Sequence, residues 1–228
     1  MRHRTALHLT AVTVVLLITW GISINLFGAQ EKANDILATR APVPKCSLSR
    51  VCPPDHFALY VTSGAADIVG PKICFNGKII MSHVLNNVKP GLNIVVVNGE
   101  NGAVEKSDSL NMKTGNPEDN LAYLKEIKAG MIILVASFDD VTTKMTNEVR
   151  EIFVGMGSTL IQSVKRRDNW VFAGRAGTKI KSLFEQRTVN NEKTNTYEGW
   201  PGVAEVGGCF PRTVTDRNLK EPLVDSRM

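Results

Sequence analysis

Four cysteines, Cys46, Cys52, Cys74 and Cys209, lie downstream of a basic and then apolar N-terminal leader. The leader opens with Arg2, His3 and Arg4 and continues as an uncharged apolar run from about Ala11 to Phe27, the pattern of an export signal. Export delivers a chain to an oxidising compartment, where an even number of cysteines pairs into disulfides. The sequence therefore predicts a stapled secretory-pathway domain.

The cysteine spacing points the same way. Zinc sites favour short paired intervals, whereas these are six, twenty-two and 135 residues. Past the leader only His56 and His83 remain, and neither forms a two-residue step with a thiol. Structural disulfides are expected, and no metal. Three pairings are open to four cysteines. One of them, Cys52 with Cys209, would tie the two ends of the domain together, worth about 4 to 5 kcal/mol on the loop-entropy model.

The stretch from Ala6 to Phe27 is nearly long enough to span a bilayer, although His8 and Asn25 interrupt it. A cleaved signal at residues 1–28 and secretion is the first reading; an uncleaved type II anchor in the Golgi is the alternative. Removing Arg2 and Arg4 leaves 25 basic residues against 22 acidic ones, a net charge of +3 in place of +5. That is too mild to argue for nucleic acid. Residues 29–45 read as a linker ending in Ala41-Pro42-Val43-Pro44-Lys45, and residues 212–228 as a charged, solvated tail. Residues 46–211 are enough for one core.

Inside that domain strands dominate. His56 to Val61 alternates with apolar Phe57, Leu59 and Val61, and Asn76-Gly77 within Ile73 to Met81 is a hairpin signal. Leu92 to Val97 is a continuous apolar run followed by a glycine-rich turn, which reads as consecutive antiparallel pairing. Pro117, Glu118 and Asp119 start a helix with a Leu121, Leu124 and Ile127 stripe that Gly130 closes. Met131 to Ala136 is a strand; a second helix follows a Thr146 cap, buries Val149, Ile152 and Phe153, and ends near Gly155 and Gly157. With a strand at Trp170-Val171-Phe172, the order predicts an α+β fold.

Enzyme signatures are missing from the sequence: it has no G-x-S-x-G and no H-E-x-x-H, and Gly174 to Lys179 has the wrong order for a phosphate loop. A non-catalytic protein without cofactors is expected. Asp139-Asp140 at a strand end suits turn and cap hydrogen bonds better than a ligand site. Arg167-Asp168 reads as a polar edge or an ion pair at a strand entrance, with Trp170 in the core. Tyr197 and Trp200, on a loop rich in glycine and proline, suit ligand stacking and edge covering equally.

Several longer words go beyond pattern. Ser63-Gly64-Ala65-Ala66, Val69 to Cys74, Asn86-Asn87-Val88, Gly91 to Ile94 and Val97-Asn98-Gly99 are followed by Asp139-Asp140, Thr143-Lys144-Met145 and Arg167 to Phe172. Phe184-Glu185-Gln186, Tyr197 to Pro201 and Gly208-Cys209 complete the set. In this order they resemble the FAM-three family of secreted cytokine-like proteins, over about residues 45 to 211. The resemblance implies a compact β-β-α globule, two antiparallel sheets packed with short helices. It also implies two disulfides, Cys46 with Cys74 and Cys52 with Cys209. The same domain is similar to the glycan-binding stem of a protein O-mannose N-acetylglucosaminyltransferase, called the GG-type lectin domain.

The chain departs from the family where relatives read Phe-Asp-Met-Trp or Phe-Asp-Met-Tyr. Here Leu110-Asn111-Met112-Lys113 stands instead, without the carboxylate or the aromatic ring. The resemblance implies a secreted ligand for a cell-surface receptor, with carbohydrate binding by the lectin domain. Ligand-binding candidates are Asn111, Asp139, Asp140, Arg167 and Trp200. A Golgi- or surface-anchored carbohydrate-binding module is the alternative. With every cysteine used internally in that pairing, a monomer is expected.

Overall fold

The alternation in the first strand does what the pattern predicts. Phe57, Leu59 and Val61 of β1 (His56–Thr62) are all fully buried on one face. β1 pairs with β2 (Lys72–Phe75), which turns into β3 (Lys78–Ser82). Asn76 and Gly77 take φ of 50° and 91° there, the left-handed pair that a tight hairpin turn needs. The final strand, β9 (Glu205–Pro211), returns to the other side of β1, so the first sheet runs β3-β2-β1-β9.

This computed structural model describes residues 14–23, 42–178 and 180–213. The chain divides into two units, Met1–Val43 and Pro44–Met228. In the first, residues 14–23 are helical. No helix among the described residues is long and apolar enough to cross a membrane. The rest of the leader at 1–28, the linker up to residue 41 and the tail from residue 214 lie outside the described residues. Arg212, placed by sequence at the start of the tail, donates its backbone N–H to Asp55 (2.9 Å), and its guanidinium lies 4.4 Å from the Phe57 ring centre.

The second sheet comprises β4 (Gly91–Val97), β5 (Val104–Leu110), β6 (Ile132–Phe138), β7 (Asn169–Arg175) and β8 (Phe184–Thr188), in the order β5-β4-β6-β7-β8. All pairs are antiparallel. Consecutive pairing holds within β1–β3, β4–β5 and β6–β8. It fails where β4 opens a new sheet, where β6 pairs with β4 instead of β5, and where β9 pairs with β1. Composition explains the second departure: β5 carries Glu105, Lys106 and Asp108 and suits an edge, whereas β6 has no polar residue but Ser137 and needs cover on both faces.

Two apolar layers result, as the family resemblance implies. Between the sheets, Phe57, Leu59, Val61 and Ile73 pack against Val95, Leu134, Ala136 and Val171. On the far side of the second sheet, Ile94, Val135, Trp170 and Phe172 pack against helices α1 (Pro117–Lys125) and α2 (Asn147–Gly155) through Leu124, Val149 and Phe153. Met112, Met145 and Met156 fill this second layer. α2 is capped by Thr146, whose hydroxyl accepts from the Val149 N–H at 3.2 Å. α1 ends earlier than the glycine predicts, at Lys125 with Glu126 as its cap. Gly130, at φ 86°, instead serves the turn that delivers the chain into β6.

Both disulfides are those implied by the resemblance, Cys46–Cys74 and Cys52–Cys209. The strand register explains their placement. Cys74 stands opposite Tyr60 of β1, and Cys209 opposite Ala58, so both leave the outer face of the first sheet on either side of β1. Residues 46–52 become a strap over that face, with Leu48 buried beneath it. Gly207 makes room: a Cβ there would stand 2.5 Å from Tyr60 and 3.2 Å from Leu48.

This packing bears on stability in two measurable ways. On the loop-entropy model the Cys52–Cys209 link, closing 157 residues, is worth about 5 kcal/mol and the Cys46–Cys74 link, closing 28, about 3.5 kcal/mol. Replacing Cys52 and Cys209 by Ala is therefore expected to lower Tm further than replacing Cys46 and Cys74, by scanning calorimetry. The second concerns Tyr123 on α1, whose buried hydroxyl has no hydrogen-bond partner. Burial, assisted by Asp108 and Glu126, pushes its ionisation up from 10.0 to about 12. A raised folded value means that its contribution is complete below pH 10 and is lost as pH climbs from 10 towards 12. Tyr123→Phe is expected to leave Tm at pH 7 unchanged or higher and to flatten the loss of stability above pH 10.

Candidate functional site

The ends of β1, β3, β5, β6 and β8 and the starts of β2, β4, β7 and β9 share one rim. Backbone bonds across the sheets hold it together. The Gly64 N–H donates to Ser137 O (2.7 Å), and the Asp139 N–H to Ala66 O (3.2 Å). Two buried hydroxyls extend the stitching: Ser63 Oγ accepts from the Ala204 N–H at 2.9 Å, and Ser137 Oγ from the Trp170 N–H at 2.8 Å. Gly64 permits the close approach, because a Cβ there would overlap the Phe138 ring and lie 2.7 Å from Val69 O.

All five ligand-binding candidates lie on this rim, in different states. Asn111 closes its own turn: its Oδ1 accepts from the Lys113 and Thr114 N–H groups at 3.0 and 2.9 Å, and its Nδ2 donates to Thr114 Oγ1. Asp139 is buried at a left-handed φ of 60°. Its Oδ1 accepts from the Asp140 N–H (2.6 Å), and its Oδ2 pairs with Lys113 Nζ (3.1 Å). Asp140 Oδ1 accepts from both the N–H and the hydroxyl of Thr142, while Oδ2 faces Arg166 Nε at 3.7 Å. The aspartates make the turn bonds that their position in sequence favours.

Arg167 and Trp200 meet. The guanidinium lies over the indole with its carbon 4.9 Å from the ring centre, and Nη1 donates to Gly199 O at 3.4 Å. Asp168 is not its ion-pair partner. That carboxylate is buried, accepts from the Lys165 and Asn190 N–H groups (both 2.8 Å) and faces Arg187 at 3.7 Å. Trp170 is core, with its indole N–H donating to Glu185 at 2.8 Å. Trp200 also lines a groove of about 350 Å³, together with Ala65 to Val69, Tyr197 and Glu198.

Sequence reasoning missed Lys113 and Arg166 as partners of the aspartates. The only signal for Lys113 was its place in Leu110-Asn111-Met112-Lys113, and nothing local linked it to a residue twenty-six positions away. Among the described residues no group of three or more His, Cys, Asp or Glu side chains could hold a metal ion. The rim thus offers exposed cations, a ring and a groove lined by apolar residues and two carboxylates, a set suited to binding.

Asp139 provides a direct check of the turn. Asn keeps the acceptor and tolerates left-handed backbone, so Asp139→Asn is expected to cost about 1 kcal/mol or less. Asp139→Val loses the acceptor and is strained at this φ, and is expected to cost about 2 to 4 kcal/mol. Urea denaturation of the two variants measures both.

The comparisons with known proteins concern this same domain. A family model described as interleukin-like EMT inducer matches residues 90–178, which run from β4 to just past β7. Protein FAM3C of Danio rerio is 49% identical over 177 residues, covering 78% of each chain. Protein FAM3D of Mus musculus is 46% identical over 175 residues, covering 77% of this chain and 78% of the relative. Protein FAM3A of Pongo abelii is 38% identical over 228 residues, covering 94% of this chain and 99% of the relative. With such identity spread over most of its length, the chain belongs to the FAM3 family of interleukin-like proteins.

Proposed function

We propose that this protein is a secreted, cytokine-like ligand that acts on a cell-surface receptor by binding, without catalysis, and that the strand-end rim is its recognition surface. Carbohydrate is among the chemistry the rim recognises. One observation carries the reading: Arg167 lies over Trp200 beside an open groove, at the end of the domain where five loops converge. An aromatic face with a charged group beside it suits the apolar face and hydroxyls of a sugar, and equally a protein hot spot. Membership of the FAM3 family and two internal disulfides support the extracellular part of the reading.

The test uses purified protein on intact cells and on a glycan array. Saturable binding is expected in both, weakened about tenfold or more by Trp200→Ala and by Arg167→Ala. Val51→Ala, on the strap across the first sheet, is expected to bind as the parent does. Rim variants that bind cells and glycans as tightly as the parent would contradict the assignment of the surface.

A further inference from the structure

Beyond the general reading of the rim as a glycan surface, on which this step rests, the arrangement of charge selects one class of glycan. Lys144 and Lys113 are neighbours, since the Lys144 N–H donates to Met112 O at 2.9 Å. Lys113 Nζ reaches Asp139, Asp140 faces Arg166 Nε, and Arg166 stands between Lys165 and Arg167 in sequence. These residues sit on the turns that meet at the rim, as a strip whose last member, Arg167, lies over Trp200.

The strip is cationic despite its two aspartates. Five basic side chains against two carboxylates leave three positive charges in excess, a concentration that the mild net charge of the chain conceals. The carboxylates are engaged from within: Asp139 Oδ1 by the Asp140 N–H, and Asp140 Oδ1 by Thr142. The Lys113 side chain is 60% exposed and that of Arg166 77% exposed, Lys165 is exposed, and Lys144 and Arg167 are half-buried. A neutral sugar gains nothing from this excess. Sulfate groups spaced along a polysaccharide gain one cation after another, with Arg offering paired donors to each sulfate. At physiological salt, screening over about 8 Å confines the attraction to groups in near contact. The groove that Trp200 also lines carries Asp67 and Glu198, which disfavour a polyanion there.

We propose that Lys113, Lys144, Lys165, Arg166 and Arg167 form a binding strip for a sulfated glycosaminoglycan, with the Trp200 ring beside Arg167 as an apolar contact at its end. The measurement is binding of the secreted protein to immobilised heparin, fully desulfated heparin, transfer RNA and phosphatidylserine vesicles, at several salt concentrations. Heparin is expected to bind at about 0.15 M salt and desulfated heparin not. The triple variant K144Q/R166Q/K165Q is expected to lose tenfold or more in affinity, with the slope of log affinity against log salt smaller by about 2 to 3. Lys165 and Arg166 are exposed and Lys144 half-buried, none of them in the packed layers, and an unchanged Tm shows that the variant is folded. Trp200→Ala is expected to weaken heparin binding while leaving retention on a sulfopropyl exchanger unchanged.

Full heparin affinity in the triple variant would overturn the strip. Equal binding of RNA or of anionic vesicles, indifferent to Trp200→Ala, would reduce it to general charge attraction and overturn the glycan assignment. Binding of a neutral glycan through Trp200 without any response to sulfation would overturn this inference and leave the proposed function standing. No saccharide bound at the rim at all would remove the glycan part of both.

Discussion

β6 has no face left for water. Ile133 and Val135 point into the helical layer, while Ile132, Leu134 and Ala136 point towards the first sheet, and its neighbours β4 and β7 are buried in the same way. At about 25 cal/mol per Å² of apolar surface removed from water, this double burial does most to hold the domain together. It also leaves the faces of the central strands without polar groups for recognition. Charged and aromatic side chains that contact a partner must therefore come from the strand ends, where the loops meet.

The remaining exposed face, on the outer side of the first sheet, is closed by covalent means. Residues 46–52 are too few to form a layer of their own, and the two disulfides hold them across β1 without one. With the sheets fixed, the rim can carry local strain. Ala66, Asp139 and Arg167 all take left-handed backbone there, at φ of 52°, 60° and 63°. Each such residue costs of order 1 kcal/mol or more. The cost is met by the bonds from Ser63, Ser137 and Gly64 that join the strand ends. The strained residues hold Asp139 inward and bring Arg167 over Trp200.

What could be read from the sequence was local. The alternation of Phe57, Leu59 and Val61, the Asn76-Gly77 turn and the Thr146 cap each have a physical cause within a few residues, and each appears in the fold. The aspartate turn at 139–140 was legible for the same reason. β8 and β9 were not, because their polar residues are explained only by distant partners. Glu185 accepts from the Trp170 indole and from Ser158, and Gln186 Oε1 accepts from the Glu205 N–H. The pairing of Lys113 with Asp139 and the contact of Arg167 with Trp200 are of this second kind. The cysteine pairing came from family words, since spacing alone leaves three choices.

In the proposed function, contact with the cell surface is made by the rim and not by the strapped face. Site-specific photo-crosslinking tests this most directly. A photoreactive residue would replace Glu198 or Lys144 on the rim, or Ile79 on the outer face of the first sheet, in protein bound to living cells. Crosslinks to cell-surface molecules from positions 198 and 144, with none from 79, are the predicted result. Efficient capture from position 79 and none from the rim would contradict it.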